Sequence, residues 1–206
     1  MTAEQVLTDL STLRRSPLSH LSAAFEASDV EGDRGVILRE TPFATMIGIR
    51  AIPGTPAHEA LAAATGVGLP SGPGRVAGSP GGTAVLWQGP DEFLLVAPEG
   101  TEILNALVGA LGEMPGSVVD LSANRTILRL TGPGARLVLE KGCPADLHPR
   151  VFAPGTAIST TLGPVPLFLW QTGDREYLLL PRASFADYTA RWLLDAMTEF
   201  ASPEVR

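Results

Sequence analysis

The sequence predicts an α+β fold in which two antiparallel units repeat one order of elements. Three observations predict it. First, Leu86-Trp87-Gln88 is followed by Asp91-Glu92-Phe93-Leu94-Leu95-Val96, and Leu169-Trp170-Gln171 by Asp174-Arg175-Glu176-Tyr177-Leu178-Leu179-Leu180. Second, two helix starts carry a proline, Pro56 ahead of the first triplet and Pro133 ahead of the second. Third, strand patterns come in runs joined by short turns, not in strict alternation with helices, which favours antiparallel sheets.

Taken in order, residues 1–34 carry no sustained period and end in Glu31-Gly32-Asp33-Arg34. They read as an N-terminal docking arm with at most a short helix over 3–13. Its partner-contact candidates are the apolar Leu18 and Leu21, flanked by Arg14, Arg15 and His20. Removing residues 1–22 is therefore expected to leave the body stable. The body, residues 35–206, is one globular unit of two pseudo-repeats, about 36–113 and 117–200. Residues 36–40 and 44–50 read as strands broken at Thr41-Pro42. A helix over 56–65 has Thr55 as N-cap, Pro56 at its first position and Gly66 past its end. Residues 66–82 hold seven Gly and three Pro and form a loop, with a short edge strand near 75–77. Residues 83–88 and 92–97 make a hairpin around Gly89-Pro90-Asp91, and 101–112 an apolar helix.

The order then recurs. Residues 118–121 and 126–130 read as strands, 133–141 as a helix and 144–155 as a Pro-rich connection. Residues 156–161, 165–171 and 176–180 read as strands. Ser184 caps a last helix to Phe200, with Phe185, Tyr188, Trp192, Leu193 and Ala196 at helical spacing. Trp87 and Trp170 are then expected at equivalent strand positions.

Composition excludes several classes of function. Hydrophobic residues make up 45% of the chain, enough for a sizeable core. The balance of 15 basic against 22 acidic residues offers no basic field for nucleic acid or an anionic membrane. Charged residues are only 18%, which points to surface covered by a partner. No run approaches the roughly 20 apolar residues of a membrane span, and Glu4 and Asp9 stand where a signal peptide would be basic. A cytoplasmic protein is expected. One cysteine excludes a disulfide within the chain and any cysteine-rich metal site.

Motifs with catalytic chemistry are missing. There is no dinucleotide fingerprint after a strand, no phosphate loop and no His-Glu-x-x-His. His20, His58 and His148 lack metal-ligand spacing. Cys143 follows a helix end, where a thiol is not activated, and reads as a packed thiol. Gly132-Pro133-Gly134 reads as a helix entry, with anion binding the alternative. Asp120, Asn124 and Arg125 fall in a turn between two strands. Turn chemistry and ligand binding both account for them, and they are the pocket candidates. No residue is nominated as catalytic or as a metal ligand.

The blocks Asp120-Leu121-Ser122-Ala123-Asn124-Arg125-Thr126, Leu130 to Leu139 and Lys141-Gly142-Cys143-Pro144-Ala145-Asp146-Leu147-His148-Pro149 resemble the γ-subunit family of heterotetrameric sarcosine oxidase. So do Arg15-Ser16-Pro17-Leu18 and Gly89-Pro90-Asp91-Glu92-Phe93-Leu94-Leu95. The resemblance spans about residues 14–200. It implies a fold similar to the folate-binding domain of the glycine-cleavage T protein. It also implies α, flavin-bearing β and zinc-binding δ partners, and an assembly that oxidatively demethylates sarcosine to glycine. FAD, FMN, NAD and tetrahydrofolate then belong to the whole complex, and none to this chain alone. A related group of this fold carries Lys-Gly-Cys-Tyr-x-Gly-Gln; this sequence departs from it after Cys143, so that group's cysteine chemistry does not transfer. The alternatives are a stand-alone folate- or small-molecule-binding protein and, more remotely, an aminomethyl transferase using Asp120.

Overall fold

A computed structural model describes residues 13–201. A 3-10 turn (Ser19–Leu21) and α1 (Ser22–Ala27) lead into β1 (Ile37–Thr41) and β2 (Thr45–Arg50). Then come α2 (Pro56–Ala64), β3 (Val76–Gly78), β4 (Ala84–Gly89), β5 (Glu92–Ala97) and α3 (Leu104–Leu111). The second half runs β6 (Ser117–Asp120), β7 (Ile127–Thr131), α4 (Ala135–Glu140), β8 (Ala157–Leu162), β9 (Val165–Gly173), β10 (Glu176–Pro181) and α5 (Ala186–Ala201). The helix expected over 3–13 lies outside the described residues but for its last position.

The strands form two antiparallel five-stranded sheets, ordered β3-β4-β5-β2-β6 and β8-β9-β10-β7-β1. The two orders are the same when β6 is set against β1. The first strand of each repeat therefore crosses over to close the edge of the other repeat's sheet. β1 pairs with β7, and β6 pairs with β2. The units expected over 36–113 and 117–200 share one element order, yet neither completes its sheet alone. Such an exchange joins segments from opposite halves of the chain, a non-local pairing that makes the two halves depend on each other.

Three apolar clusters follow from the alternation of side chains across a sheet. Leu107 and Leu111 of α3 and Leu61 of α2 cover one face of the first sheet with Ile47, Val85 and Leu95. Leu38, Leu130, Leu169 and Tyr177 of the second sheet are covered by α4 and α5 through Val138, Leu139, Leu193 and Met197. The inner faces meet through Met46, Leu86, Leu94, Ile127, Phe168 and Trp170. The layers are thus helix, sheet, sheet, helix.

The Leu-Trp-Gln triplets do not superpose. In the hairpins Gly89 pairs with Glu92 and Gly173 with Glu176, so these two pairs mark equivalent positions. Leu86 sits opposite Leu94, and its counterpart Trp170 sits opposite Leu178; Trp87 sits opposite Phe93, and its counterpart Gln171 opposite Tyr177. Trp87 and Trp170 thus lie on equivalent strands but one residue out of step, and a one-residue slip turns a side chain to the opposite face. Trp170 is buried in the seam between the sheets, while Trp87 packs half-buried under the helices of its own sheet.

Residues 14–34 also depart from expectation. Leu18, Leu21 and Phe25 are 0%, 5% and 3% exposed and belong to the core of the second sheet. Their spacing of three and four puts them on one face of the turn and helix that follow. Val30 and Val36 exchange backbone hydrogen bonds at 3.0 and 2.8 Å, and Arg39 of β1 holds Asp29 and the carbonyl of Phe25. Leu18 and Leu21 are therefore anchors of this chain's own core and are not available to a partner.

Smaller corrections have local causes. Thr55 does cap α2, accepting from the His58 amide at 3.3 Å. Ser184 instead lies inside a 3-10 turn (Ala183–Phe185) with no side-chain cap. The buried stripe of α5 runs through Ala186, Ala190, Leu193, Met197 and Phe200, leaving Phe185 and Tyr188 exposed. At Gly132-Pro133-Gly134 the helix begins only at Ala135, and the flanking amides are taken: Gly132 donates to Arg175 and Gly134 to Gly35. The amides of Gly132, Gly134 and Ala135 are thus spent inside the fold and are not offered to an anion.

Candidate functional site

Two of the three turn candidates and two of the five arm candidates converge on one groove. It is about 380 Å3 and is lined by Arg14, Arg15, Phe43, Asp120, Ser122 and Arg125, with Pro17, Ala123 and Thr126. Three segments build it: the N-terminal residues before the first turn, the β1–β2 turn and the β6–β7 turn. The strand exchange brings them together, because β1 and β6 end side by side where the two sheets meet.

Asp120 closes an Asx turn, accepting from the Ser122 amide at 2.9 Å and from the Ser122 hydroxyl at 2.6 Å. These bonds, the hydroxyl's first, hold its carboxyl below the usual carboxylate range. Ser122 Oγ also receives the Met46 amide at 3.1 Å and so ties the turn to β2. Turn chemistry accounts for Asp120. Asn124 stays outside the groove; its amide donates to Leu121, and its carbonyl accepts from Ala183.

Arg125 is half-buried. It donates to the Leu180 carbonyl at 2.8 Å and lies 5.1 Å from the centre of the Phe168 ring. Burial, followed by the nearby Arg182, pushes its pKa down from the ordinary arginine value. No carboxylate pairs with it among the described residues. Arg14 donates to Glu99 at 2.8 Å and sits 4.2 Å over Phe43, a non-glycine residue held at φ 59°. Arg15 is exposed on the groove wall. Behind the groove, Glu40 accepts from Ser16 at 2.5 Å and from Thr126 at 2.7 Å. By register Glu40 is the counterpart of Asp120. Glu40 faces Leu128 and Asp120 faces Ile47, and these two in turn face the equivalent hairpin residues Leu179 and Leu95.

Phe43, Ser122 and Glu99 escape sequence reasoning as site residues. Phe43 carries a usable signal, an aromatic residue directly after Thr41-Pro42 in a strand break. The other candidates lie elsewhere. His20 pairs with Asp187 at 2.7 Å between the first 3-10 turn and α5. His58 packs against Phe93, and His148 organises its own loop through Arg150 and Asp146. Cys143 is partly buried, with Thr160 Oγ1 at 3.7 Å from its sulfur. The Lys141 ammonium is committed to Ala196 and Glu199. No group of three His, Cys, Asp or Glu among the described residues is placed to hold a metal ion.

A second cleft, about 320 Å3, opens at the sheet seam between Ala44, Val96, Ile127, Trp170 and Leu178. It is apolar, and Glu99 is its single titratable lining residue. The Trp170 indole nitrogen has no hydrogen-bond acceptor among the described residues.

Comparison with known proteins decides the lineage. Residues 51–199 match the model of the sarcosine oxidase, gamma subunit family. The chain is 57% identical over 203 residues to the sarcosine oxidase subunit gamma of Corynebacterium sp. (strain U-96), covering 98% of this chain and 99% of that one. The chain belongs to the sarcosine oxidase gamma subunit family. Within that family, a chain of the heterotetrameric sarcosine oxidase of Corynebacterium sp. U-96, solved in complex with pyrrole 2-carboxylate, superposes with a TM-score of 0.93. That match has 59% identity and covers 94% of this chain and all of that one. The glycine cleavage system aminomethyltransferase T of Bartonella henselae shares the fold at a TM-score of 0.61 and 19% identity, over 88% of this chain and 57% of that one.

Proposed function

We propose that this chain is the non-catalytic, structural γ subunit of a heterotetrameric, flavin-dependent sarcosine oxidase that demethylates sarcosine to glycine, with α, β and δ chains as its partners. The single observation that carries the reading is the whole-length match at 57% identity to a sarcosine oxidase subunit gamma. The chemistry of the groove supports it. Asp120 is spent on its turn: the Ser122 hydroxyl and amide that close the Asx turn hold its carboxyl below the usual carboxylate range, which makes it a poor base for the one hydroxyl it touches. Every strand pairing among the described residues is antiparallel, so there is no parallel βαβ crevice of the kind that seats a dinucleotide. Hydride removal from an amine needs an electron acceptor. In this reading FAD, FMN, NAD and tetrahydrofolate are held by the other chains or their interfaces. The assembly works in the cytoplasm; no helix among the described residues is long and apolar enough to cross a membrane.

The full chain purified alone is expected to be colourless and to consume no oxygen when sarcosine is added. Absorption spectroscopy and an oxygen electrode check both. A yellow preparation with a flavin spectrum would contradict the reading.

A further inference from the structure

We propose that the groove between Arg14, Arg15, Phe43 and Arg125 is a docking site for a carboxylate-bearing segment of another subunit of the oxidase. The proposal rests on the subunit reading above and names the surface and the chemistry of the contact.

The lining carries Arg14, Arg15 and Arg125 against Asp120 alone. The chain as a whole has a net charge of −7, so this concentration of guanidinium groups runs against its overall sign. The single lining carboxylate already takes two hydrogen bonds from Ser122. Arg14 is engaged by Glu99 and stacked on Phe43, which fixes one wall. Arg125 has only a backbone carbonyl and an aromatic ring for company, and among the described residues no carboxylate meets it. A half-buried guanidinium without a counter-ion gains most from a planar, bidentate carboxylate. Arg182, bridged to Arg125 backbone to backbone, adds a second positive charge to the same field from the β10–α5 junction. Phe43 supplies the aromatic surface found at interface centres, where Arg and aromatic residues dominate binding energy. Phe43 sits at a left-handed φ of 59° in the β1–β2 turn, and its ring lies under the Arg14 guanidinium at 4.2 Å. Leu18 and Leu21, being core residues, cannot anchor a partner, so the arginines must act directly and not as a rim around leucine anchors.

The test co-expresses the full chain with the other chains of the oxidase and measures the affinity of the complex as a function of salt. Arg15→Glu and Arg125→Gln are compared with wild type, and Arg15→Lys serves as the conservative control. Melting of each isolated variant separates folding from binding. The expected result is that Arg15→Glu weakens association at least tenfold without lowering its own melting temperature. Arg125→Gln also weakens association, Arg15→Lys stays near wild type, and wild-type affinity falls with added salt. Association within twofold of wild type for both Arg15→Glu and Arg125→Gln would overturn the docking site and leave the subunit reading standing. If Arg15→Glu leaves assembly unchanged but abolishes a phosphate-induced rise in melting temperature, the groove is a small-anion site and the proposal is wrong. A wild-type chain that fails to associate would remove the subunit reading itself.

Discussion

Deleting residues 1–22 is expected to lower the melting temperature of the isolated chain by roughly 10–20 °C, or to leave it unfolded. The deletion removes Leu18 and Leu21, which are 0% and 5% exposed, from a core they share with Leu38, Leu130 and Tyr177. Burying a leucine contributes about 1.5–3 kcal/mol, and the cavity left behind adds to the loss. The combined deficit of about 5 kcal/mol is a large part of the roughly 5–15 kcal/mol that stabilises a domain. At roughly 2–4 °C per kcal/mol for a chain of this size, the shift follows. The deletion also removes the Ser16 hydroxyl that donates to Glu40 of β1 at 2.5 Å. Calorimetry of the truncated chain checks this. Melting within about 2 °C of the full chain would restore residues 1–34 to the status of a separable arm. Leu18→Ala alone is expected to cost about 3–4 kcal/mol by the same reasoning.

Replacing Gly132 by alanine is expected to cost roughly 3 kcal/mol, lowering the melting temperature by roughly 6–12 °C. Gly132 has φ +117°, and a β-carbon there would lie 2.3 Å from the Gly35 oxygen and 3.1 Å from the Val36 α-carbon. Both obstacles are backbone, so no side chain can move aside. The contact is where the entry to α4 touches the entry to β1, the strand exchanged into this sheet. Gly54→Ala provides the comparison: φ is +79° there, but nothing lies within 4 Å of the added carbon. It carries the left-handed backbone penalty alone, about 1–2 kcal/mol. If the two variants melt alike, the close approach of α4 and β1 is wrong. The same closeness gives Gly132-Pro133-Gly134 a structural role: its glycines make room for the backbone at Gly35, which accepts from the Gly134 amide, while the Gly132 amide goes to Arg175.

What is legible in the sequence is local. The hairpin at Gly89-Pro90-Asp91, the Thr55 cap and the order of elements depend on neighbours within a few residues, and they stand within a residue or two of expectation. The exchange of β1 and β6 depends on pairings between distant segments, which no local pattern encodes. The Leu-Trp-Gln match misleads because the bulge falls on Gln88 inside the first triplet but on Thr172 just after the second, so the register counted from Gly89 and Gly173 sets the triplets one residue apart. The groove shows both sides of this. Asp120 and Arg125 are visible as polar residues in a turn, and Arg14 and Arg15 as charges in the N-terminal segment. Their meeting is hidden, because it requires β1 and β6 to end beside each other. Leu18, Leu21 and Phe25 keep helical spacing, but over too short a stretch to stand out as a period.

The most direct measurement of the subunit role is affinity purification with a tag on this chain alone, after co-expression with the other chains of the oxidase. The tag is expected to retrieve all of them in equimolar amounts, as a flavin-containing complex with sarcosine-dependent oxygen consumption. The subunit role is contradicted if the tagged chain elutes by itself at its own 21.6 kDa while the remaining chains assemble into a fully active oxidase without it.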